Sequence, residues 1–485
     1  MLLRISSIIN PFFLLAALVG FITTTTAGHT LADNGFKAGA ARLEITPPLG
    51  TPIVGGWKPV PAAHIHDPLY VRVLVLSDGD TKLAFVVCDL LGVPVEVAET
   101  AKQRIHRQSG IPPSHVIITG THTHSAGSPF PEPRTYQPVE TLNDYQRFLA
   151  QKMADAVQVA RNHLEPAKIG WGAASEPGEV FNRRWFIESP DDRRNPFGGV
   201  DRVRMNPPRR SPGLIKPAGP VDPEIVFISV KALDGRPLAL LANYSLHYVG
   251  GIPPRVISAD YFGVFSDRIQ ELLEADRQYP PFVGILTNGT SGDINNIDFS
   301  RRRVRANDFE QMRRVGEKIA GHVHRAWKDV EYLDEVELQA RYQEIPLRRR
   351  ELSDEMIAWA KGIVQNPKER PGRHRREVIY AQRVLDLAAS PETLDFPLQA
   401  FRIGPVGIAA IPAEVFAEIG LEIKEKSPFE TSFTLSLANG YLGYLPTVEQ
   451  HELGGYETWP GTCRVEEHAA PRIVETLLGF FREMY

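Results

Sequence analysis

Two histidines stand one residue apart in the stretch TGTHTHSAGS, which spans positions 119–128. His122 and His124 follow the apolar segment HVIIT, which has the composition of a buried β-strand. On extended backbone, side chains two positions apart point to the same side, so both imidazoles can reach one ligand. Imidazoles at the end of a core strand, among glycines and hydroxyl groups, are compatible with a catalytic metal site. A solvated loop is the alternative interpretation of the same pattern.

The His-x-His pattern occurs at two further places, which serve as internal comparisons. His322 and His324 lie in a helical pattern, where side chains two apart point to nearly opposite sides and cannot share a metal. We therefore interpret that pair as surface histidines. His64 and His66 precede a strand in the loop PAAHIHDPLY, and His66 is a candidate for the rim of a site.

A catalytic zinc ion takes three protein ligands and keeps one position open, so further polar residues that end apolar strands are of interest. His247 ends LALLANYSLH, where a hydrogen-bonded core histidine is the alternative. Glu414 ends VGIAAIPAE, and a carboxylate there is costly to bury unless it is paired or binds a metal. Tyr441 and Tyr444 are interpreted as packing residues. Asp293, in TNGTSGDINN, either holds a ligand histidine through a hydrogen bond or caps a turn.

The elements that must position these side chains are short Val/Ile/Leu-rich strands that alternate with amphipathic helices. This alternation predicts an α/β fold with a layered core. Residues 182–224 have many prolines and no apolar period, which predicts a long functional loop without regular structure. Residues 347–389 have the pattern of a helical insertion.

The N-terminus has the features of an export signal. Arg4 precedes the apolar run 8–22, and small residues follow, which predicts a signal peptide over residues 1–32 with cleavage after Ala27 or Ala32. The run is shorter than the ~20 residues that a membrane span needs. We therefore expect an exported protein, secreted or periplasmic, with no transmembrane span after cleavage. The formal net charge of −4 gives no indication of nucleic-acid binding.

Seven segments, in this order along the chain, resemble motifs of the neutral ceramidase family. They are GAARLEITPPLGTPIVGG (39–56), HDPLYVRVLVL (66–76), THTHSAG (121–127), NYSLHYVGG (243–251), NGTSGDINN (288–296), IPAEVFAEIG (411–420) and NGYLGYLPTVEQHELGGYE (439–457). The resemblance spans roughly residues 39–480 and is strongest to short bacterial members. It implies mixed β-sheets flanked by helices in one catalytic domain over residues 33–485, without a C-terminal immunoglobulin-like domain.

The resemblance also implies an activity and a set of site residues. The activity is zinc-dependent cleavage of an N-acyl amide, ceramide or a related lipid, to a fatty acid and an amine by zinc-activated water. One Zn²⁺ ion is expected, and the implied ligands are His122, His247, Glu414 and Tyr444. The implied catalytic residues are His124, Tyr456 and Arg183, with Arg184 competing for the last role. Two alternatives remain: hydrolysis of a non-ceramide amide or ester on the same scaffold, or a non-catalytic metal-binding relative.

Overall fold

The computed structural model describes residues 35–131, 136, 141–302, 306–366 and 374–485. The predicted signal peptide at residues 1–32 lies outside these ranges. The helices within them are α1 (Val95–Ser109), α2 (Asp144–Asn162), α3 (Asp260–Leu272), α4 (Glu310–Trp327), α5 (Asp354–Gln365), α6 (Glu377–Ala389), α7 (Ala417–Lys426), α8 (Val448–Leu453) and α9 (Ala469–Met484). None of these helices combines the length and the apolar character that crossing a bilayer requires.

The described strands form two principal sheets and several short ladders. The large sheet contains β1 (Lys37–Glu44), β2 (Tyr70–Ser77), β3 (Lys82–Cys88), β4 (Val116–Gly120), β5 (Glu165–Ser175), β6 (Glu224–Ala232), β7 (Pro237–Tyr244) and β8 (Val283–Asn288), in the order β8-β7-β6-β5-β1-β2-β3-β4. The small sheet contains β9 (Leu338–Arg348), β10 (Thr393–Ile403), β11 (Val406–Ala410) and β12 (Thr431–Leu435), in chain order. The pairs β3–β4, β7–β8 and β11–β12 are parallel, and the other neighbours are antiparallel.

The two sheets stack face to face, with helices on both outer sides. Along β2, Val73 packs towards helices α1 and α2, whereas Leu74 points into the interface between the sheets. Along β10, Phe401 enters that same interface, whereas Leu398 packs towards α7 and α9. This alternation with a period of two buries both faces of each sheet. The prediction of an α/β layered core of mixed sheets flanked by helices is confirmed.

The ends of three strands from both sheets carry the candidate site residues. β4 ends just before His122, β7 just before His247, and β11 just before Glu414. The segment that follows β12 ties these regions together, because Ser436 N donates to Asn288 O (3.1 Å) and Asn439 N donates to Ile118 O (2.6 Å). Side chains far apart in sequence therefore meet at one edge of the stacked sheets.

Residues 182–224 and 347–389, which have unusual sequence patterns, both contain regular structure. The prediction of a structureless loop over residues 182–224 is wrong, because Arg184–Ile187 pairs with Val203–Met205 and with Leu214–Pro217 in a three-stranded sheet. Its short strands contain arginine and proline, which masked the apolar alternation that predicts a strand. Within residues 347–389, α5 and α6 pack on each other around a small separate core.

The other short strands are Pro52–Val54, Val60–Pro61, His64–Ile65, Ala126–Gly127, Phe181–Asn182, Val256–Ile257, Ile294–Asn295, Glu414–Val415 and Tyr444–Leu445. Two of these ladders bear directly on the site. Glu414 lies directly opposite Tyr444 in a parallel pair. Val54 lies opposite Ala126, which fixes the loop around Gly55 against the His-x-His segment.

A buried ion pair supports the loop beneath this edge. Arg72 on β2 and Asp89 after β3 form an ion pair and are 3% and 0% exposed, respectively. Asp89 also accepts a hydrogen bond from Tyr70 N at 2.9 Å. The next two carbonyls, those of Leu90 and Leu91, accept hydrogen bonds from His122. The pair therefore fixes the loop on which His122 rests.

Replacing Arg72 with methionine is expected to lower the free energy of unfolding by roughly 3–5 kcal/mol, because Asp89 is left as a buried charge without its partner. Equilibrium urea denaturation at constant pH measures this change. The double variant Arg72→Met/Asp89→Asn should recover part of the loss, since it leaves no buried charge. A loss below about 1 kcal/mol in the single variant would contradict this account.

Candidate metal centre

Three histidine side chains converge at the edge where the strands end. His122 Nε2 lies 3.0 Å from His247 Nε2 and 3.3 Å from His124 Nε2. The candidate ligand atoms of the three residues all lie within 4.8 Å of one another. His122 and His247 are each 1% exposed, whereas His124 is only partly buried. The structure thus brings His124 together with the two predicted histidine ligands.

Each imidazole is oriented by a hydrogen bond from its other ring nitrogen to a backbone carbonyl. The Nδ1···O distances are 2.7 Å for His122 to Leu91, 3.0 Å for His247 to Ser291 and 2.9 Å for His124 to Gly55. A carbonyl only accepts, so each Nδ1 carries the proton, and in the neutral ring Nε2 keeps its lone pair. Three lone pairs therefore point at one small volume, which is unfavourable unless a cation lies between them.

The surroundings of His124 and His247 favour the neutral form of these two rings. Burial lowers the pKa of His124 well below the usual value, and the neighbouring His122 lowers it further. Burial likewise lowers the pKa of His247, with further contributions from His122 and Arg183. Neutral imidazole is the form of histidine that binds metal ions.

Glu414 adds a carboxylate to the same volume. Its Oε2 lies 3.4 Å from His122 Nε2 and 3.8 Å from His247 Nε2. Burial alone would raise the pKa of Glu414, but His122 and hydrogen bonds from Tyr441 and Tyr444 lower it to about 2. Within the described part of the chain, Oε2 is buried and has no hydrogen-bond partner. An ionised, buried oxygen without a donor, facing histidine lone pairs, is the arrangement that a metal cation completes.

The distances permit a single ion. Two ligand atoms bound to one zinc ion by bonds of ~2 Å lie at most ~4 Å apart. The separations among His122 Nε2, His247 Nε2 and Glu414 Oε2 are 3.0, 3.4 and 3.8 Å. Two imidazoles and a carboxylate are also a donor set that zinc accepts. The residues present therefore fit a zinc ion.

Tyr444, Arg183 and Tyr456 line the other side of the cluster. Arg183 Nη2 donates to the Tyr444 hydroxyl at 3.0 Å, and Arg183 Nη1 lies 3.4 Å from His247 Nε2. Burial raises the pKa of Tyr444, and Glu414 adds to this, whereas Arg183 opposes it. The Tyr456 ring centroid lies 5.5 Å from that of Tyr444. The structure thus brings all seven predicted site residues to one place, and their individual roles remain predictions.

The backbone at His122 and Gly55 is unusual. His122 has φ of 76°, in the left-handed region, where a residue other than glycine costs roughly 1–2 kcal/mol. Such conformations persist where the surroundings enforce them, often at functional sites. Gly55 has φ of 137°, and a Cβ there would lie 2.5 Å from the Cβ of His124. Only glycine lets this carbonyl approach closely enough to hold the His124 ring.

Other sequence candidates have different partners. Asp293 does not hold His247; its carboxylate accepts from Ala417 N (2.9 Å) and from Asn182 Nδ2 (2.6 Å), so the hydrogen-bond hypothesis is wrong for this residue. The His66 ring stacks on Phe309 with a centroid distance of 3.7 Å. On α4, His322 forms an ion-pair contact with Glu176 at 2.9 Å.

Three contributors to the site were missed or misread in the sequence. Tyr441 is more than a packing residue, because its hydroxyl donates to Glu414 Oε1 at 2.6 Å. Glu457 binds both Arg183 (2.9 Å) and Arg184 (2.8 Å), and this pairing directs Arg183 towards the histidines. The Tyr248 ring stacks on His124 at 3.7 Å. The available signal was adjacency, since two of the three residues directly follow a predicted site residue.

Comparison with known proteins identifies the fold of the chain. No protein-family model matches the sequence, and no curated protein matches it. The chain is similar to solved structures, among them the following two. The first, neutral ceramidase from Pseudomonas aeruginosa, has 17% identity and a TM-score of 0.67, with 92% of this chain and 74% of that chain covered. The second, a ceramidase complexed with C2, has 16% identity and a TM-score of 0.65, with the same coverage. The chain therefore has a neutral ceramidase-like fold.

Proposed function

We propose that this protein is an exported, zinc-dependent amide hydrolase of the ceramidase type, which cleaves an N-acyl amide to a fatty acid and an amine. The observation that supports it is the meeting of the Nε2 atoms of His122 and His247 with the unpartnered Glu414 Oε2, at separations that one ion can bridge. The similar solved structures are of ceramidases, which favours an acyl amide as the substrate.

The proposed zinc ligands are His122, His247, Glu414 and the hydroxyl of Tyr444. A zinc ion in such a site supplies Lewis-acid polarisation and lowers the pKa of bound water to about 7. The chain orients the ligands before the metal arrives, because each histidine is held through Nδ1 and Glu414 is held through Oε1. Such outer hydrogen bonds fix ring orientation and strengthen metal binding.

His124 has the position expected of a general acid and base. It is less buried than the two histidine ligands, so substrate can reach it, and its Nε2 faces the cluster. Burial lowers the pKa of His124, so the ring is neutral, and its Nε2 can accept the proton that the attacking water loses and pass it to the leaving amine nitrogen. The Gly55 carbonyl holds the ring through Nδ1, and the Tyr248 ring stacks on its face.

Arg183 and Tyr456 complete the proposed machinery. The Arg183 guanidinium is fixed by Glu457 and directed at Tyr444 and His247, so it places positive charge where the carbonyl oxygen becomes negative. One fixed donor at such an oxyanion is typically worth about 3–4 kcal/mol. The Tyr456 hydroxyl is a second donor candidate beside Tyr444.

Zinc content and substrate turnover of the purified protein test the proposal together. We expect one zinc per chain by mass spectrometry, and hydrolysis of a fluorogenic N-acyl sphingosine that stops when the metal is removed with a chelator and returns with added zinc. Zinc with turnover of other amides or esters only would support the same scaffold with a different substrate. Absence of both zinc and turnover would contradict the proposal and favour a non-catalytic relative.

A further inference from the structure

A cavity of about 450 Å³ opens beside Tyr456, and more than half of its lining residues are charged. Five arginines and three aspartates contribute to it, together with Tyr456 and Trp459. A pocket built only for two hydrocarbon chains would instead be lined mainly by hydrophobic side chains. The charged lining therefore favours a substrate that has a charged group.

The aspartates of this cavity are already engaged. Asp191 pairs with Arg194 at 2.7 Å, and Asp192 forms an ion pair with Arg204. Asp201 accepts hydrogen bonds from Trp459 Nε1 (2.8 Å) and from a neighbouring asparagine amide (2.9 Å). Among the described residues, no carboxylate forms an ion pair with the remaining arginines of the cavity, Arg193, Arg375 and Arg376.

Arg376 is the most informative of these arginines. It lies at the N-terminus of α6, and its guanidinium stacks over the Trp57 ring at 3.6 Å and lies 5.8 Å from the Tyr456 ring centroid. Among the described residues, this guanidinium has no carboxylate within ion-pair distance. Burial lowers the pKa of Arg376, and Tyr380 and Tyr456 oppose this lowering.

A second guanidinium lies behind the first on the same helix face. Arg383 is seven positions after Arg376, two helical turns along α6, and lies 5.6 Å from the Trp57 ring. Its Nη1 donates only to neutral hydroxyls, those of Tyr380 and Thr462, both at 3.2 Å. The two cations repel one another, and neither forms an ion pair with a described carboxylate. An anion bound here removes this cost.

This arginine face adjoins the metal centre. Tyr456 lies between them, 5.5 Å from Tyr444 on one side and 5.8 Å from Arg376 on the other. Trp57, which stacks under Arg376, lies two residues after Gly55, whose carbonyl holds His124. An anionic group on Arg376 would therefore lie about one aromatic ring away from an amide bound at the histidines.

We infer that the substrate is an N-acyl amino acid, whose carboxylate binds Arg376 while its amide lies at the histidine cluster. The planar guanidinium matches a carboxylate through two parallel hydrogen bonds, and Arg383 together with the N-terminus of α6 adds positive potential. Ceramide has no anionic group to place there. This inference rests on the proposed amide hydrolysis and narrows its substrate class.

The test compares N-lauroylglycine with N-lauroylglycinamide, which differ only in the charged end group. The zinc-loaded full chain should hydrolyse the acid with a kcat/KM roughly 10- to 100-fold higher, the range expected of a charge-assisted hydrogen-bonded pair. Arg376→Met should abolish this preference, mainly through KM, without loss of zinc. Arg376→Lys should keep part of the preference, and Arg383→Met is a second variant with the same expected direction.

Arg204→Gln is the matched control, because Arg204 lines the same cavity but is paired with Asp192. It should retain the preference for the acid. Equal or better turnover of the glycinamide by the unmodified protein, or a preference that survives Arg376→Met, would overturn the inference. If neither amide is hydrolysed but the N-acyl sphingosine is, the inference is overturned and the proposed amide hydrolysis stands. If none of the three compounds is hydrolysed, amide hydrolysis itself is contradicted. Equilibrium dialysis of both compounds tests the arginine site even without turnover. The inference predicts that the acid binds more tightly than the glycinamide, and that Arg376→Met loses this difference.

Discussion

Replacing either His122 or Glu414 with alanine is expected to leave the purified protein without zinc and without detectable amide hydrolysis. His122 Nε2 is the atom closest to the other donors, at 3.0 Å from His247 Nε2 and 3.4 Å from Glu414 Oε2. Without the Glu414 carboxylate, no negative charge remains among the proposed ligands to balance the ion. Losing an outer hydrogen-bond partner costs metal sites roughly 10- to 100-fold in affinity, and losing a ligand should cost more.

Zinc per chain, measured after gel filtration in metal-free buffer, checks this expectation. His322→Ala is the control, because it removes a histidine of the same His-x-His pattern on α4, where the ring faces Glu176 instead of the cluster. The control should keep full zinc and full activity. Full metal occupancy in His122→Ala or in Glu414→Ala would refute the proposed ligand set.

Replacing His124 with alanine should keep the metal and lower kcat by roughly 10²- to 10⁴-fold, the range that general acid–base catalysis supplies. The reason is position: His124 is held by Gly55 and Tyr248, is less buried than His122 and His247, and its Nε2 faces the cluster. Parallel measurements of zinc content and of kcat separate the two functions. If His124→Ala loses its zinc, His124 is a ligand, and its assignment as the proton carrier is wrong.

The candidate ligands could be predicted from the sequence because of their positions relative to the strands. His122, His247 and Glu414 each come shortly after an apolar strand, and polar groups at such positions need a partner. The layered α/β core was predictable for a related reason, since the strands Lys82–Cys88, Pro237–Tyr244 and Val406–Ala410 are buried on both faces and read as nearly continuous apolar runs. For these residues and strands, the local sequence pattern is consistent with the position in the folded protein.

Features that depend on long-range pairing were not predictable. The choice between Arg183 and Arg184 depends on Glu457, more than 270 positions away, which binds both and directs only Arg183 at the histidines. Neither residue type nor apolar context distinguishes Tyr441 from a packing tyrosine. The long-range pairing of Glu414 with Tyr444 brings the carboxylate to this segment, where the Tyr441 hydroxyl donates to it. Short arginine- and proline-containing strands within residues 182–224 carry no period that identifies them.

A crystal structure of the zinc-loaded protein with anomalous data at the zinc edge tests the central claim most directly. The account predicts one anomalous peak per chain, about 2.0–2.2 Å from the Nε2 atoms of His122 and His247 and from a carboxylate oxygen of Glu414. A zinc peak elsewhere on the chain, or an empty histidine cluster in a crystal grown with saturating zinc, would contradict it.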